Sequence, residues 1–230
     1  MSEISGTDAA VGEYFLGDRP EVIQRVPEWA KSVLDVGCGA GLLGKKLKER
    51  GVSRVTGIEL NPEAAQLATR HLDAVYTGDA ASIPLDFAPG EFDTIIFADV
   101  LEHLVNPGGL LVRLRPYLAP HGVIVTSIPN VRYFGMLHHL VEGHWTYADS
   151  GILDRTHLRF FTIREMVNML TAAGFRLTDV YENLNQQYYE RQPTSYPAEF
   201  TNARLRITGL SDFEFRDLFV FQYILVAALP

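Results

Sequence analysis

Residues 32–46, SVLDVGCGAGLLGKK, limit the fold of this chain more than any other stretch. A β-branched apolar run ends in glycines at alternate positions, Gly37, Gly39 and Gly41, and an amphipathic segment follows at once. Glycines there let the backbone turn sharply and approach a ligand, while the next helix presents its unpaired N–H groups at the same place. Leu42, Leu43 and Leu47 fall on one side of that helix, lysines fall on the other, and Gly51 stops it.

The same alternation continues downstream. VTGIEL (55–60) reads as a second strand, and NPEAAQLATRHL (61–72) as a helix with Asn61 as N-cap and Pro62 in its first turn. AVYTGD, FDTIIFAD and GVIVTSIP supply three more strands, with a helix over 107–118 between the last two. Strands and helices that alternate this regularly form a parallel sheet covered on both faces. The expected class is α/β, a Rossmann-like doubly wound sheet.

Beyond residue 130 the pattern loosens. FTIREMVNMLTAAG predicts a helix capped by Thr162, with Glu165 completing a capping box and Gly174 as the stop. RLTDVYEN and DLFVFQYILVAAL read as closing strands, and 184–215 shows no period. One domain over 1–230 is expected: an N-terminal cap (1–30), a cofactor-binding core (31–129) and substrate-side insertions (130–160 and 184–215).

A formal net charge of −8 argues against general affinity for nucleic acid or an anionic membrane. The N-terminus lacks a secretion-signal pattern, and the apolar run 218–230 is too short to span a bilayer. A single cysteine, Cys38, forbids an internal disulfide and fits a reducing, cytoplasmic setting.

The glycine loop can be read in three registers. From Gly39, G-A-G-L-L-G fits a dinucleotide fingerprint, with Glu59 twenty positions on as a ribose-binding acid. G-x-x-x-x-G-K from Gly39 fits most of a phosphate loop, but Lys46 replaces the hydroxyl that would hold Mg²⁺. From Asp35 the pattern is D-x-G-x-G-x-G, with an acid inside the strand, which suits a ligand with a cationic amino-acid end. Asp35, Glu59, Asp79 and Asp99 stand at four successive strand ends. Together they make a negative crevice, hostile to diphosphate and welcoming to a sulfonium and an ammonium. No lysine follows residue 48, so a Tyr-x-x-x-Lys dehydrogenase pair cannot be built downstream.

VLDVGCGAG, GIELNPEA, GDA, FDTIIFADVLEHL and GVIVTSIPN together resemble class I S-adenosylmethionine-dependent methyltransferases, in the branch that includes ubiquinone-biosynthesis O-methyltransferases. The resemblance is strong over 30–130 and weaker over 155–183. It implies a seven-stranded sheet whose last strand is antiparallel and inserted beside the sixth. It also implies that Asp35 and the backbone of Gly37, Cys38, Gly39 and Gly41 hold the methionine portion of S-adenosylmethionine. Glu59 and Leu60 would meet the ribose, Asp79 and Ala80 the adenine, and Asp99 and Val100 the methyl group. The expected partner is a small-molecule or saccharide acceptor, with no nucleic acid and no membrane, and a homodimer is allowed. An NAD-dependent oxidoreductase and an inactive cofactor-binding module are the rivals.

Methyl transfer from a sulfonium is an in-line displacement that needs alignment and dryness. A hydroxyl acceptor must also lose its proton, and a positioned base is worth about 10²–10⁴ in rate. Asp99, Glu102 and His103, at i, i+3 and i+4, would share one face of a helical turn. His157 follows later in DRTHLRFFT. The preferred reading is metal-free, with His103 or His157 as base and Glu102 orienting it. A partial likeness to the metal-dependent small-RNA terminal 2′-O-methyltransferases, whose first acid differs, makes a divalent ion the alternative. Arg155 and Arg159 could clamp an anionic group on the acceptor. Tyr133, Phe134, Trp145, Tyr147, Phe160 and Phe161 would suit either a pocket wall or a small lid core.

Overall fold

The structure is a computed structural model that describes residues 19–230. In chain order its elements are α1 (Pro20–Ile23), β1 (Ser32–Val36), α2 (Leu42–Glu49), β2 (Arg54–Glu59), α3 (Pro62–Ala68), β3 (Ala74–Thr77) and β4 (Phe92–Ala98). There follow α4 (Pro107–Leu114), β5 (Leu118–Pro129), α5 (Phe134–Val141), α6 (Ile163–Ala172), β6 (Arg176–Leu184) and α7 (Gln187–Arg191). The chain closes with β7 (Ala198–Asn202), β8 (Leu205–Leu210), α8 (Asp212–Asp217) and β9 (Val220–Ala228).

Seven strands form one sheet in the order β3-β2-β1-β4-β5-β9-β6. The pairings among β1 to β5 are parallel, and β9 runs antiparallel to both neighbours, between β5 and β6. This is the arrangement the resemblance implies. Alternation along the strands divides the core between two layers. Ile95 and Phe97 of β4 face Leu110, Leu114, Met166 and Leu170 of α4 and α6. Ile96 between them faces the layer made by Val22, Leu43, Leu47 and Ala68 of α1, α2 and α3.

The helix caps behave largely as their residue types predict. Asn61 accepts from the backbone N–H groups of Glu63 and Ala64. Thr162 accepts from Glu165 N at 3.4 Å without the reciprocal bond; the complete capping box lies instead at Ser211 and Glu214. The helix expected over 107–118 ends at Leu114, and Pro116 sits in a 3₁₀ turn over Arg115–Tyr117.

Segment 184–215, which shows no period, holds α7, a β7–β8 hairpin and the start of α8. Phe134, Tyr188, Phe200, Phe215 and Phe219 join in a separate aromatic core there. The hairpin turns through Ala203 at φ +48°, a residue type that carries no turn signal. The expected N-terminal cap falls mostly on residues 1–18, outside the described part of the chain.

Candidate active site

The carboxyl ends of β1, β2, β3 and β4 open onto a crevice of about 580 Å³. Its floor is the glycine loop. Gly37 has φ +73°, and a Cβ there would lie 2.6 Å from Val100 Cγ2, so only glycine lets the β1 and β4 ends approach this closely. Gly37 N and Cys38 N both donate to Ile58 O, at 2.7 and 3.1 Å. Glu59 then ties the loop down. Its Oε2 accepts from Gly39 N and its Oε1 from Asn61 N, each at 2.8 Å. Each oxygen keeps a lone pair for a further donor.

Asp35 is buried beside this clamp. Burial, and then the charge of Glu59, raise its carboxyl to about 7. Burial and the same two acids push the Cys38 thiol up, which makes it a small wall residue and no nucleophile. Leu60, Asp79 and Ala80 line the crevice, and Asp79 turns its own loop by accepting from Ala81 N at 2.9 Å. Gly41 stands apart from the other loop glycines. It does not line the crevice, and a Cβ there would meet the Ala68 backbone at 3.0 Å, so its smallness lets α2 pack on α3.

Asp99 and Val100 border the crevice at the end of β4. Asp99 adopts φ +54° and its carboxylate is already held. Oδ2 pairs with Arg19, while Oδ1 accepts from Gln222 Nε2 and from Ser127 Oγ. Arg19 also lines the crevice. Nothing in the sequence pattern singles out Arg19 or Gln222. An isolated arginine and a glutamine within an apolar strand acquire their roles only once β9 and the N-terminal segment are placed.

The turn after Asp99 is 3₁₀ rather than α, over Leu101–His103. Asp99 therefore does not share a face with Glu102 and His103. His157 joins those two instead. One potential ligand atom from each of Glu102, His103 and His157 lies within 4.8 Å of the others, and the two rings meet edge to face at 4.6 Å. His103 and Thr156 line the crevice; Glu102 and His157 lie behind them. Glu102 thus has no place in the crevice lining and stands behind His103.

Glu102 is 1% exposed, and neither of its carboxylate oxygens has a partner among the described residues. Its backbone carbonyl accepts from Leu158 N at 2.8 Å and Arg159 N at 3.0 Å, which pins the 155–159 segment over the turn. Burial raises the Glu102 carboxyl to about 8. Burial first, then the neighbouring His157, holds His103 below its ordinary value. His103 Nδ1 lies 3.0 Å from Thr156 Oγ1 and 3.3 Å from Thr156 O, and His157 Nδ1 lies 3.0 Å from Ile152 O. Asp154 steadies this arrangement, accepting from Thr156 N at 2.8 Å and Thr156 Oγ1 at 2.6 Å.

The proposed clamp residues are engaged elsewhere. Arg155 pairs with Asp149 at 2.5 Å, and Arg159 donates to Val105 O at 2.7 Å. None of the six candidate aromatics lines the crevice. Tyr133, Trp145 and Phe160 pack on Met136, Ile152 and Leu153, which makes the small lid core.

Comparison with known proteins agrees with this geometry. A family described as methyltransferase domain matches residues 13–180. A ubiquinone biosynthesis O-methyltransferase of Psychrobacter arcticus is 32% identical over 176 residues, which span 70% of this chain and 67% of that protein. The mitochondrial ubiquinone biosynthesis O-methyltransferase of Schizosaccharomyces pombe is 27% identical over 72% of this chain and 64% of its own length. Among solved structures, a SAM-dependent methyltransferase from Archaeoglobus fulgidus matches with TM-score 0.63 at 20% identity, covering 94% of this chain and 96% of that one. One from Mesorhizobium loti matches with TM-score 0.60 at 19% identity, covering 96% and 99%. At such identities these two speak for the fold, and the family assignment rests on the sequence matches. The chain belongs to the methyltransferase-domain family, the S-adenosylmethionine-dependent class that its sequence resembles.

Proposed function

We propose that this protein transfers the methyl group of S-adenosylmethionine to an oxygen of a small-molecule or saccharide acceptor. The observation that carries this reading is the charge of the crevice lining. Asp35, Glu59, Asp79 and Asp99 face one guanidinium, that of Arg19. Such a lining repels a pyrophosphate and attracts the sulfonium and ammonium of S-adenosylmethionine. That lining favours S-adenosylmethionine over NAD as the occupant. The O-methyltransferase relatives from Psychrobacter arcticus and Schizosaccharomyces pombe point to oxygen as the accepting atom.

In this reading the backbone of Gly37, Cys38 and Gly39 cradles the methionine portion beside Asp35. Glu59 spends its remaining lone pairs on the ribose hydroxyls, with Leu60 against the ring. Asp79 and Ala80 meet the adenine. Among the described residues Arg19 is the one cation placed for the methionine carboxylate, and Asp99 and Val100 border the methyl group. The acceptor oxygen attacks the methyl carbon in line, the carbon–sulfur bond breaks, and the sulfonium becomes a neutral thioether. The acceptor proton must leave, and His103, the one member of the Glu102, His103 and His157 group that lines the crevice, is assigned to that task.

No helix among the described residues is long and apolar enough to cross a membrane. The single buried cysteine supports a cytoplasmic place of action. Isothermal titration tests the cofactor assignment: S-adenosylhomocysteine binds one site per chain and NAD does not. Binding of NAD with no response to S-adenosylhomocysteine overturns it.

A further inference from the structure

We propose that the groove between α6 and α8 is a second ligand site, which holds a neutral sugar ring through its hydroxyls. The proposal goes beyond the methyl-transfer reading and does not depend on it. The groove encloses about 690 Å³, within the ~300–1,000 Å³ of ordinary small-molecule sites, and shares no lining residue with the cofactor crevice. Three observations carry the proposal.

The first is how Arg132 is held. Asp217 is 1% exposed, and its Oδ1 accepts from Tyr223 Oη at 2.6 Å and from Asn130 Nδ2 at 3.0 Å. Its Oδ2 lies 2.9 Å from Arg132 Nε. Asn130 Oδ1 also accepts from Arg132 N at 3.0 Å, so one amide fixes both the acid and the backbone of the arginine. A carboxylate buried this completely is costly unless it is paired. Here a buried network orients one guanidinium whose side chain is 40% exposed and lines the groove. That guanidinium has no other hydrogen bond or ion pair among the described residues, so its terminal nitrogens keep their donors for a ligand. A recognition side chain locked by a buried second layer is how binding sites are made precise.

The second is what lines the groove with Arg132. Arg164 and Asn168, at i and i+4 on α6, are both exposed and make no hydrogen bond or ion pair among the described residues. On α8, Phe213 is 47% exposed although its side chain is large and apolar. The capping box of Ser211 and Glu214 fixes the start of α8, so this exposed ring sits on a rigid element.

The third is charge. The lining carries two guanidiniums, Arg132 and Arg164, and two carboxylates, Glu214 and Asp217. That balance favours neither an anion nor a cation. Donors beside acceptors match a hydroxyl, which both gives and takes a hydrogen bond. The planar fork of an arginine meets two oxygens on neighbouring atoms, and vicinal hydroxyls supply these without charge. The C–H groups of a sugar ring then pack on the negative face of the Phe213 ring.

Arg132 follows the carboxyl end of β5, and α8 leads into β9, which runs antiparallel to β5. The groove therefore opens on the same edge of the sheet as the cofactor crevice, which lies at the carboxyl ends of β1 to β4.

The test is saturation-transfer NMR on the full chain. The neutral probes are the methyl pyranosides of glucose, galactose and mannose, and the charged probes are glucuronate and citrate. Phe213→Ala, Arg132→Lys and Asn168→Ala are compared with Tyr189→Ala, which removes an exposed aromatic outside the groove. The thermal midpoint and S-adenosylhomocysteine binding are read on every sample. The expected result is that at least one neutral pyranoside binds the wild type and Tyr189→Ala alike. The three groove variants weaken it about fivefold or more, with midpoint and cofactor affinity unchanged. Asn168 is exposed and unbonded, so its variant carries the test even where another groove variant is unstable. No neutral pyranoside bound by the folded wild type overturns the site. Undiminished binding in the groove variants overturns it too, as does binding of the charged probes in preference to every neutral one. A wild type that binds a pyranoside but ignores S-adenosylhomocysteine upholds the groove and sinks the methyl-transfer reading instead.

Discussion

The side-chain amide of Gln222, on the antiparallel strand β9, donates to the carboxylate of Asp99 at the end of β4, across the intervening strand β5. Asp99 stands at φ +54° where the chain leaves the sheet, so this bond helps hold the crevice border in an uncommon backbone conformation.

Gln222→Leu removes a buried donor to a charged acceptor. Such bonds contribute about 1.5–3 kcal/mol, and 1 kcal/mol shifts the midpoint of a chain this size by about 2–4 °C. Thermal unfolding is expected to show a fall of roughly 3–12 °C, and an unchanged midpoint would show that Arg19 and Ser127 suffice to fix Asp99.

Gly37→Ala is strained twice, by its positive φ and by Val100. The variant is expected to lose tenfold or more in S-adenosylhomocysteine affinity. Val100→Ala in the same chain should recover part of that loss, because it removes the clash but not the backbone cost of about 1–2 kcal/mol. Calorimetry on both variants decides this, and no recovery would mean that the methyl contact is irrelevant.

Asp35 makes stability depend on pH with a definite sign. Its folded value of about 7 lies above the unfolded carboxylate value of about 4. Between those limits the folded state binds the extra proton, so the Asp35 contribution to stability is largest at about pH 4, falls as pH rises, and levels off above about 7. Asp35→Asn should flatten that slope in unfolding scans. A cationic cofactor prefers the ionised group, so wild-type affinity for S-adenosylmethionine should rise through pH 7 and the variant's should not.

Arg19→Ala should weaken S-adenosylmethionine binding about tenfold, since it removes the one guanidinium of the lining among the described residues. Arg19→Lys should restore part, because charge survives while the planar fork is lost. Affinity equal to wild type in both would remove Arg19 from the cofactor site.

Periodicity made the sheet legible. β1, β4 and β5 read as apolar runs between glycines and polar turns, and the acids at the ends of β1 to β4 follow from the same spacing. Glu102 was harder to place. An i, i+3, i+4 spacing suggests one helical face, but the left-handed Asp99 and the 3₁₀ turn after it send Asp99 toward Arg19 and Glu102 into the interior. The loop motif marks Gly41 as a glycine but not its second demand, that a Cβ there would meet the Ala68 backbone at 3.0 Å. The β7–β8 hairpin stayed hidden because its turn uses Asn202, Ala203 and Arg204 and its buried residues are few.

The most direct measurement of the central claim is transfer itself. The protein is incubated with S-adenosylmethionine labelled on its methyl group and a cell metabolite extract, and the low-molecular-mass fraction is analysed. Label in an ether-linked methyl of a small molecule, absent with boiled protein, is the predicted result. Tight binding of S-adenosylhomocysteine with no label passed to any acceptor would contradict it and leave a cofactor-binding module in its place.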